Sequence, residues 1–253
     1  MKLRNIMCSI LFLILCFVFV PRITNYIKNL SYTESRYVLL GGDSIGIDVS
    51  IDSYNYVENN AAATKDMQSG TLTYIDFDTL EFGAFGHNVI DSNSKNNLDI
   101  NIYESYVVDI DNSYYIGSKV VIPSNNVLGS VTHKSNNGVF GIYNGAIFNR
   151  SLIQIGTPME IKKGVAYLYT VINDNVIEKF EINIIGINMF ADQKQIKFKI
   201  IDKNILKETN GVILGMSGSP IVQNDKLIGA VSHVSVSEEN VGYAIFITKM
   251  LEK

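Results

Sequence analysis

Apolar and polar residues alternate in short runs over most of this 253-residue chain. A period of two is the signature of a half-buried β-strand. The pattern predicts strands at 71–75 and 80–87, with a turn at 76–79. Further strands are expected at 100–110, 114–122, 127–132 and 139–143, separated by Asn, Asp, Ser and Gly. The clearest hairpin joins 164–172 to 176–187 across Asn173-Asp174-Asn175. A strand at 195–201 follows, then a second hairpin of 220–223 and 227–234 across Asn224-Asp225. A strand at 241–247 and a helical stub at 248–253 close the series. Nearer the start, Leu39-Leu-Gly-Gly-Asp-Ser-Ile-Gly-Ile-Asp-Val49 reads as a glycine turn feeding a short strand. Residues 55–68 are polar and contain alanines, a loop or one short helix. More than ten short strands with turn signals between them predict an all-β fold, a barrel or a sandwich.

The N-terminus breaks the pattern. Lys2 and Arg4 precede a run at 6–20 that is apolar except for Ser9, and Pro21-Arg22 ends it. The run is short for a spanning helix and at the upper end for a signal-peptide core. No small-x-small cleavage site follows, so an uncleaved signal anchor over 1–30 is the expectation. Basic residues on both sides (Lys2 and Arg4, Arg22 and Lys28) leave the positive-inside rule balanced. The bulk of the chain is expected to be exported. Residues 31–69 then read as a linker with one N-terminal strand segment, and 70–253 as a single β unit.

Composition narrows the chemistry. Against 25 acidic residues stand 21 basic ones, so no basic footprint for nucleic acid is present. The only cysteines, Cys8 and Cys16, lie in the apolar N-terminal run. That excludes a cysteine nucleophile, a CxxC metal site and a disulfide in the folded part. With three histidines, His87, His133 and His233, a His-rich metal site is not expected, nor is any cofactor.

One stretch carries nucleophile chemistry, Gly211-Val-Ile-Leu-Gly215-Met-Ser217-Gly-Ser219-Pro220. A serine between glycines can expose its hydroxyl on a tight turn, because glycine tolerates positive φ. The backbone N–H groups of Gly215 and Ser217 could then form an oxyanion hole. The same residues also punctuate ordinary loops. Ser219 competes as nucleophile, but Pro220 forces the residue before it into extended geometry, so Ser219 reads as the start of the next strand. A general base needs a near-neutral pKa. His87 sits at a strand end beside Gly86; His133 and His233 are alternatives. His233, in Gly229-Ala-Val-Ser-His-Val, is also a candidate for lining a substrate pocket. Asp202 follows a strand fifteen residues before Ser217 and could orient an imidazole, with Asp91 as its rival.

These residues carry a resemblance. Gly83-Ala-Phe-Gly-His87-Asn-Val-Ile-Asp91 resembles the Gly-Ala-Leu-Gly-His-Gly-Ile-x-Asp motif of the SpoIVB peptidases, sporulation serine proteases of endospore-forming bacteria. So do Gly156-Thr-Pro-Met-Glu-Ile-Lys-Lys-Gly164, the stretch from Asp202 to Pro220, Leu227-Ile-Gly-Ala-Val-Ser-His233 and Gly242-Tyr-Ala-Ile-Phe-Ile. The Gly41-Gly-Asp-Ser-Ile-Gly-Ile47 segment is similar to the one that follows the family's membrane anchor.

The resemblance implies a chymotrypsin-like double β-barrel behind a membrane anchor helix. Within it the base would be His87, the orienting acid Asp202 and the nucleophile Ser217. It further implies action in the space between forespore and mother-cell membranes. The substrate there would be a membrane-bound inhibitor of an intramembrane protease, whose cleavage releases sigma-factor processing. A non-catalytic β module with a vestigial site is the contrasting expectation. One departure stands out. Family members usually carry a PDZ domain between the Gly-Gly-x-Ser-Ile-Gly segment and the peptidase region, and here only about two dozen residues separate Gly46 from Gly70. Asn88 in place of the family's usual glycine is a smaller departure.

Overall fold

The computed structural model describes residues 36–48, 67–89, 100–238 and 240–252. The chain divides into Met1–Arg36 and Tyr37–Lys253. The expected signal anchor at 1–30 lies outside the described residues, among which no helix is long and apolar enough to cross a membrane. Asp91 lies outside them too.

From Tyr37 onward the protein is all-β. The first seven strands are β1 (Tyr37–Leu40), β2 (Ser44–Asp48), β3 (Met67–Asp76), β4 (Glu81–Ala84), β5 (Asn101–Asp111), β6 (Ser118–Ser135) and β7 (Gly138–Tyr143). Six of them pair antiparallel in a closed cycle: β2 with β3, β3 with β4, β4 with β7, β7 with β6, β6 with β5, and β5 back to β2. The second set is β8 (Leu152–Ile155), β9 (Gly164–Val171), β10 (Ile177–Ile187), β11 (Ile196–Ile200), β12 (Pro220–Gln223), β13 (Lys226–Val234) and β14 (Val241–Phe246). Here β9, β10, β11, β14, β13 and β12 pair in that order, and β12 returns to β9. A cycle leaves no long unpaired edge, so every strand satisfies its backbone groups on both sides.

β1 and β8 join the two cycles. β1 pairs with β3 and β8, and β8 lies parallel to β13. Each cycle encloses its own apolar cluster, Ile45, Leu72, Phe82 and Ile102 in the first, Leu168, Ile182, Phe198 and Met216 in the second. A third cluster takes Tyr74 and Phe140 from the first cycle, Val222, Leu227 and Ile245 from the second, and Val38 and Ile155 from the joining strands. The cycles are therefore welded by buried apolar surface, the dominant favourable contribution to such contacts.

Three expectations change. The compact unit starts at Tyr37, ahead of the expected boundary at 69/70, because β1 and β2 pair with β3. The predicted strands 114–122 and 127–132 are one strand, β6. Its Ser124-Asn125-Asn126 stretch marks a register shift opposite Tyr103 and Ser105 rather than a turn. Finally, the alternation gave no hint of a helix, α1 (Lys203–Thr209), which Asp202 caps; the expected C-terminal helical stub is α2 (Ile247–Leu251).

Candidate active site

His87 and Ser217 come from different strand cycles and meet where the cycles touch. After β4 the backbone turns sharply. Phe85 is held at φ 69°, an unusual conformation for a bulky residue, with its ring buried against Gly70. Gly86 follows, and His87 emerges over the junction. Its Nε2 lies 2.9 Å from Ser217 Oγ. Its Nδ1 lies 2.9 Å from the carbonyl oxygen of Asn88. A carbonyl can only accept, so Nδ1 carries the proton and donates to it. Nε2 is then left with the lone pair that accepts from the serine hydroxyl. That tautomer is the one a general base for Ser217 requires.

The serine loop is pinned by its carbonyl groups. The backbone N–H of Thr71 donates to the Ser217 carbonyl at 2.8 Å, and Gly218 N–H donates to the Val231 carbonyl at 2.7 Å. Thr71 Oγ1 donates to the Gly215 carbonyl at 3.0 Å, and Thr73 Oγ1 to the Gly218 carbonyl at 2.6 Å. Met216 is fully buried in the second core and anchors the loop from below. Two glycines make this possible. Gly215 has φ 92°, and Gly218 has φ 91° with a Cβ position only 2.1 Å from the Thr71 carbonyl oxygen. Among the described residues, the N–H groups of Gly215 and Ser217 donate to nothing, whereas those of Met216, Gly218 and Ser219 are all engaged. Two free donors beside a serine hydroxyl are what a developing oxyanion needs.

Asp202 does not stand behind His87. Its Oδ1 accepts from the Asn204 N–H at 2.8 Å as the N-cap of α1, and its Oδ2 faces the Glu181 N–H at 3.4 Å. The expected orienting carboxylate is thus a helix cap, a role that aspartate between a strand and a helix commonly fills. The group on His87 Nδ1 is a backbone carbonyl of the next residue, which side-chain motifs cannot reveal.

The other candidates fall into place. Ser219 is wholly buried, its Oγ 3.0 Å from Thr170 Oγ1 and 3.2 Å from Thr71 Oγ1. It is no rival to Ser217. His133 stacks on Phe140 at 4.8 Å, away from the serine loop. His233 lies on β13 where the register shifts, its ring 6.0 Å from that of His87. Burial chiefly, then the charge of Lys194 and of His87, lowers its pKa and favours the neutral ring. With His87, Ser217, Ile213 and Val231 it lines a cavity of about 240 Å³. A larger cavity of about 480 Å³ shares Val212 and Val234 with it and runs on toward Tyr114 and Tyr115. Among the described residues no three His, Cys, Asp or Glu side chains gather as a metal site.

The sequence model described as SpoIVB peptidase S55 matches residues 56–251. The chain belongs to that family. It is therefore a peptidase, of a family of serine peptidases. No curated protein matches it. Among solved structures, the active form of the Rv3671c protease from M. tuberculosis is similar at 11% identity, covering 88% of this chain and 81% of that one, with a TM-score of 0.44. The inactive form of the same protease aligns at 11% identity over 88% and 89%, TM-score 0.43. A scabies mite inactivated protease paralogue aligns at 12% identity over 83% and 91%, TM-score 0.42.

Proposed function

We propose that this peptidase is a serine endopeptidase with a chymotrypsin-like double β-barrel, acylated on Ser217 with His87 as its base. The observation that carries the proposal is the 2.9 Å contact between His87 Nε2 and Ser217 Oγ, made between loops of two separate strand cycles. In the reaction, Nε2 takes the hydroxyl proton as Oγ attacks the scissile carbonyl carbon. The carbonyl oxygen gains negative charge beside the N–H groups of Gly215 and Ser217, which strengthen their hydrogen bonds as the charge develops. The imidazolium then protonates the leaving amine, and the peptide C–N bond breaks to leave an ester on Ser217. Water, deprotonated by the same nitrogen, hydrolyses that ester and restores the serine.

The carbonyl of Asn88 does two of the three jobs of an orienting carboxylate. It fixes the tautomer and the ring orientation, and it stabilises the imidazolium only as a dipole. The two adjoining cavities, which share Val212 and Val234, make a groove of mixed polar and apolar lining, which suits a polypeptide more than a small ester. By the family's role, the enzyme is exported and held to the membrane by its N-terminal segment. Its substrate would be a membrane-associated regulator of sigma-factor processing in the space between forespore and mother cell, with no nucleic-acid partner. Without a PDZ domain between Gly46 and Gly70, the substrate has to reach the groove directly.

Incubating the full chain with a fluorophosphonate tests the catalytic reading. Labelling that disappears in Ser217→Ala and in His87→Ala is expected; labelling that survives Ser217→Ala sinks the assignment. Among the described residues no carboxylate is bonded to His87 Nδ1, which favours one other reading, a β module with a vestigial site. It predicts no labelling of the wild-type chain at all.

A further inference from the structure

Lys119, at the second position of β6, is 5% exposed; it touches the serine loop in two ways and reaches it in a third through hydroxyls that start on β9. Its backbone N–H donates to the Leu214 carbonyl at 3.0 Å, which belongs to the same peptide unit as the Gly215 N–H. Its aliphatic stem lies against Gly215, where a Cβ would sit 3.0–3.1 Å from Cβ, Cγ and Cδ of the lysine. Its Nζ lies 2.8 Å from Thr170 Oγ1. From Thr170 a chain of hydroxyls runs on, 3.0 Å to Ser219, 3.2 Å to Thr71, and 3.0 Å from Thr71 to the Gly215 carbonyl. Both peptide units that flank Gly215 are therefore tied to this one lysine.

We propose that Lys119 is a positioning residue of the oxyanion loop, its buried amine setting the proton order of the hydroxyl chain that holds the Gly215 peptide. The inference rests on acylation at Ser217. A charged amine can only donate. Thr170 must then accept from it and pass its own proton to Ser219, Ser219 to Thr71, and Thr71 to the Gly215 carbonyl. Every contact holds one proton and the chain has one direction. A neutral amine has a lone pair and can accept from Thr170. Ser219 then turns its proton to Thr170, and the Ser219–Thr71 contact is left with none. Methionine would fill the same volume without the expense of burying an amine that has a single hydrogen-bond partner. The lysine is thus explained by the loop it holds, not by core packing.

Burial alone lowers the amine's pKa, to about 7, so the chain reorders in the working range. Nζ bonds to the Thr170 hydroxyl on β9, and the next groups along are the hydroxyls of Ser219 in the serine loop and Thr71 on β3. On β5, Ile110 is the register partner of Lys119. Asp109 and Asp111 flank it on the opposite face, and Asp111 is bonded to Ser113.

The test is phosphonylation of the full chain by a fluorophosphonate, resolved into binding constant and maximal rate from pH 5.5 to 9.5. The wild-type maximal rate is expected to fall on the alkaline side as Lys119 loses its proton. Lys119→Met and Thr170→Val should each lower the maximal rate about tenfold or more, leave the binding constant within about twofold, and abolish the alkaline limb. A folded Lys119→Met with the wild-type rate and profile overturns the inference. If that variant does not fold, Thr170→Val decides, and a wild-type rate and profile there overturns it equally. A wild-type chain that is never phosphonylated overturns the acylation reading and this one with it.

Discussion

At the residue scale the account turns on which atoms face His87. Replacing either His87 or Ser217 by alanine should lower the hydrolysis rate about a thousandfold or more, with melting temperature hardly changed. Hydrolysis of a fluorogenic casein by the full chain checks this. Lys119 makes a second prediction, about stability. Its amine titrates near 10.5 in the unfolded chain and near 7 in the folded one. Between those values the unfolded state binds more protons, so stability rises with pH from about 7 to about 10 and lies at its lowest below 7. Lys119→Met lacks this slope. Its melting temperature relative to wild type should therefore be most favourable at pH 6 and lose that advantage by pH 10, as calorimetry at both values would show. Neither the Asn88 carbonyl nor the buried setting of Lys119 was legible in the sequence. One is backbone, and the other depends on contacts across fifty residues or more of chain.

At the element scale the alternation served well. The hairpins at 164–187 and 220–234 are β9–β10 and β12–β13, and Asp174, Asn224 and Asp225 take the positive φ their turns require. What it missed was where a local signal had two readings. Asp202 comes directly before Lys-Asn-Ile-Leu-Lys-Glu-Thr and then Asn210-Gly211, a helix bounded by an N-cap and a left-handed C-cap at φ 53°. Spacing to Ser217 made it look like an orienting acid. The two roles separate by experiment. Asp202→Asn retains a good cap, and Asp202→Ala should cost about 1 kcal/mol of stability. Both should hydrolyse casein within about threefold of wild type, whereas loss of a true triad carboxylate lowers the rate about ten-thousandfold. Similarly, the Ser124-Asn125-Asn126 stretch held turn residues in the middle of β6, because bulges and turns recruit the same side chains.

At the scale of the whole molecule, the site exists only because two closed strand cycles press together. No run of sequence displays that closure, since β2–β5 and β9–β12 join segments far apart in the chain. Gly218 is the tightest point of contact, with its Cβ position 2.1 Å from the Thr71 carbonyl oxygen and 2.4 Å from the Phe85 nitrogen. Gly218→Ala should destabilise the fold by about 3 kcal/mol or more, through the clash and a φ of 91° together. A second tie lies at the linker between the cycles. Arg150 grips Asp43 through two hydrogen bonds, of 2.7 and 2.9 Å, and donates to the Tyr143 hydroxyl at 2.9 Å. Both ends are mostly buried, 12% and 25% exposed, so Arg150→Met should cost about 2 to 3 kcal/mol by denaturant unfolding. The pair also explains the aspartate of the Gly41-Gly42-Asp43 segment, which fastens the start of the folded unit.

The most direct check on this arrangement is to phosphonylate the full chain, digest it, and locate the adduct by peptide mass. The account predicts the adduct on Ser217, in wild type and in Asp202→Asn alike, and none in His87→Ala. An adduct on Ser219 or elsewhere, or one on Ser217 that is lost in Asp202→Asn and kept in His87→Ala, would contradict it.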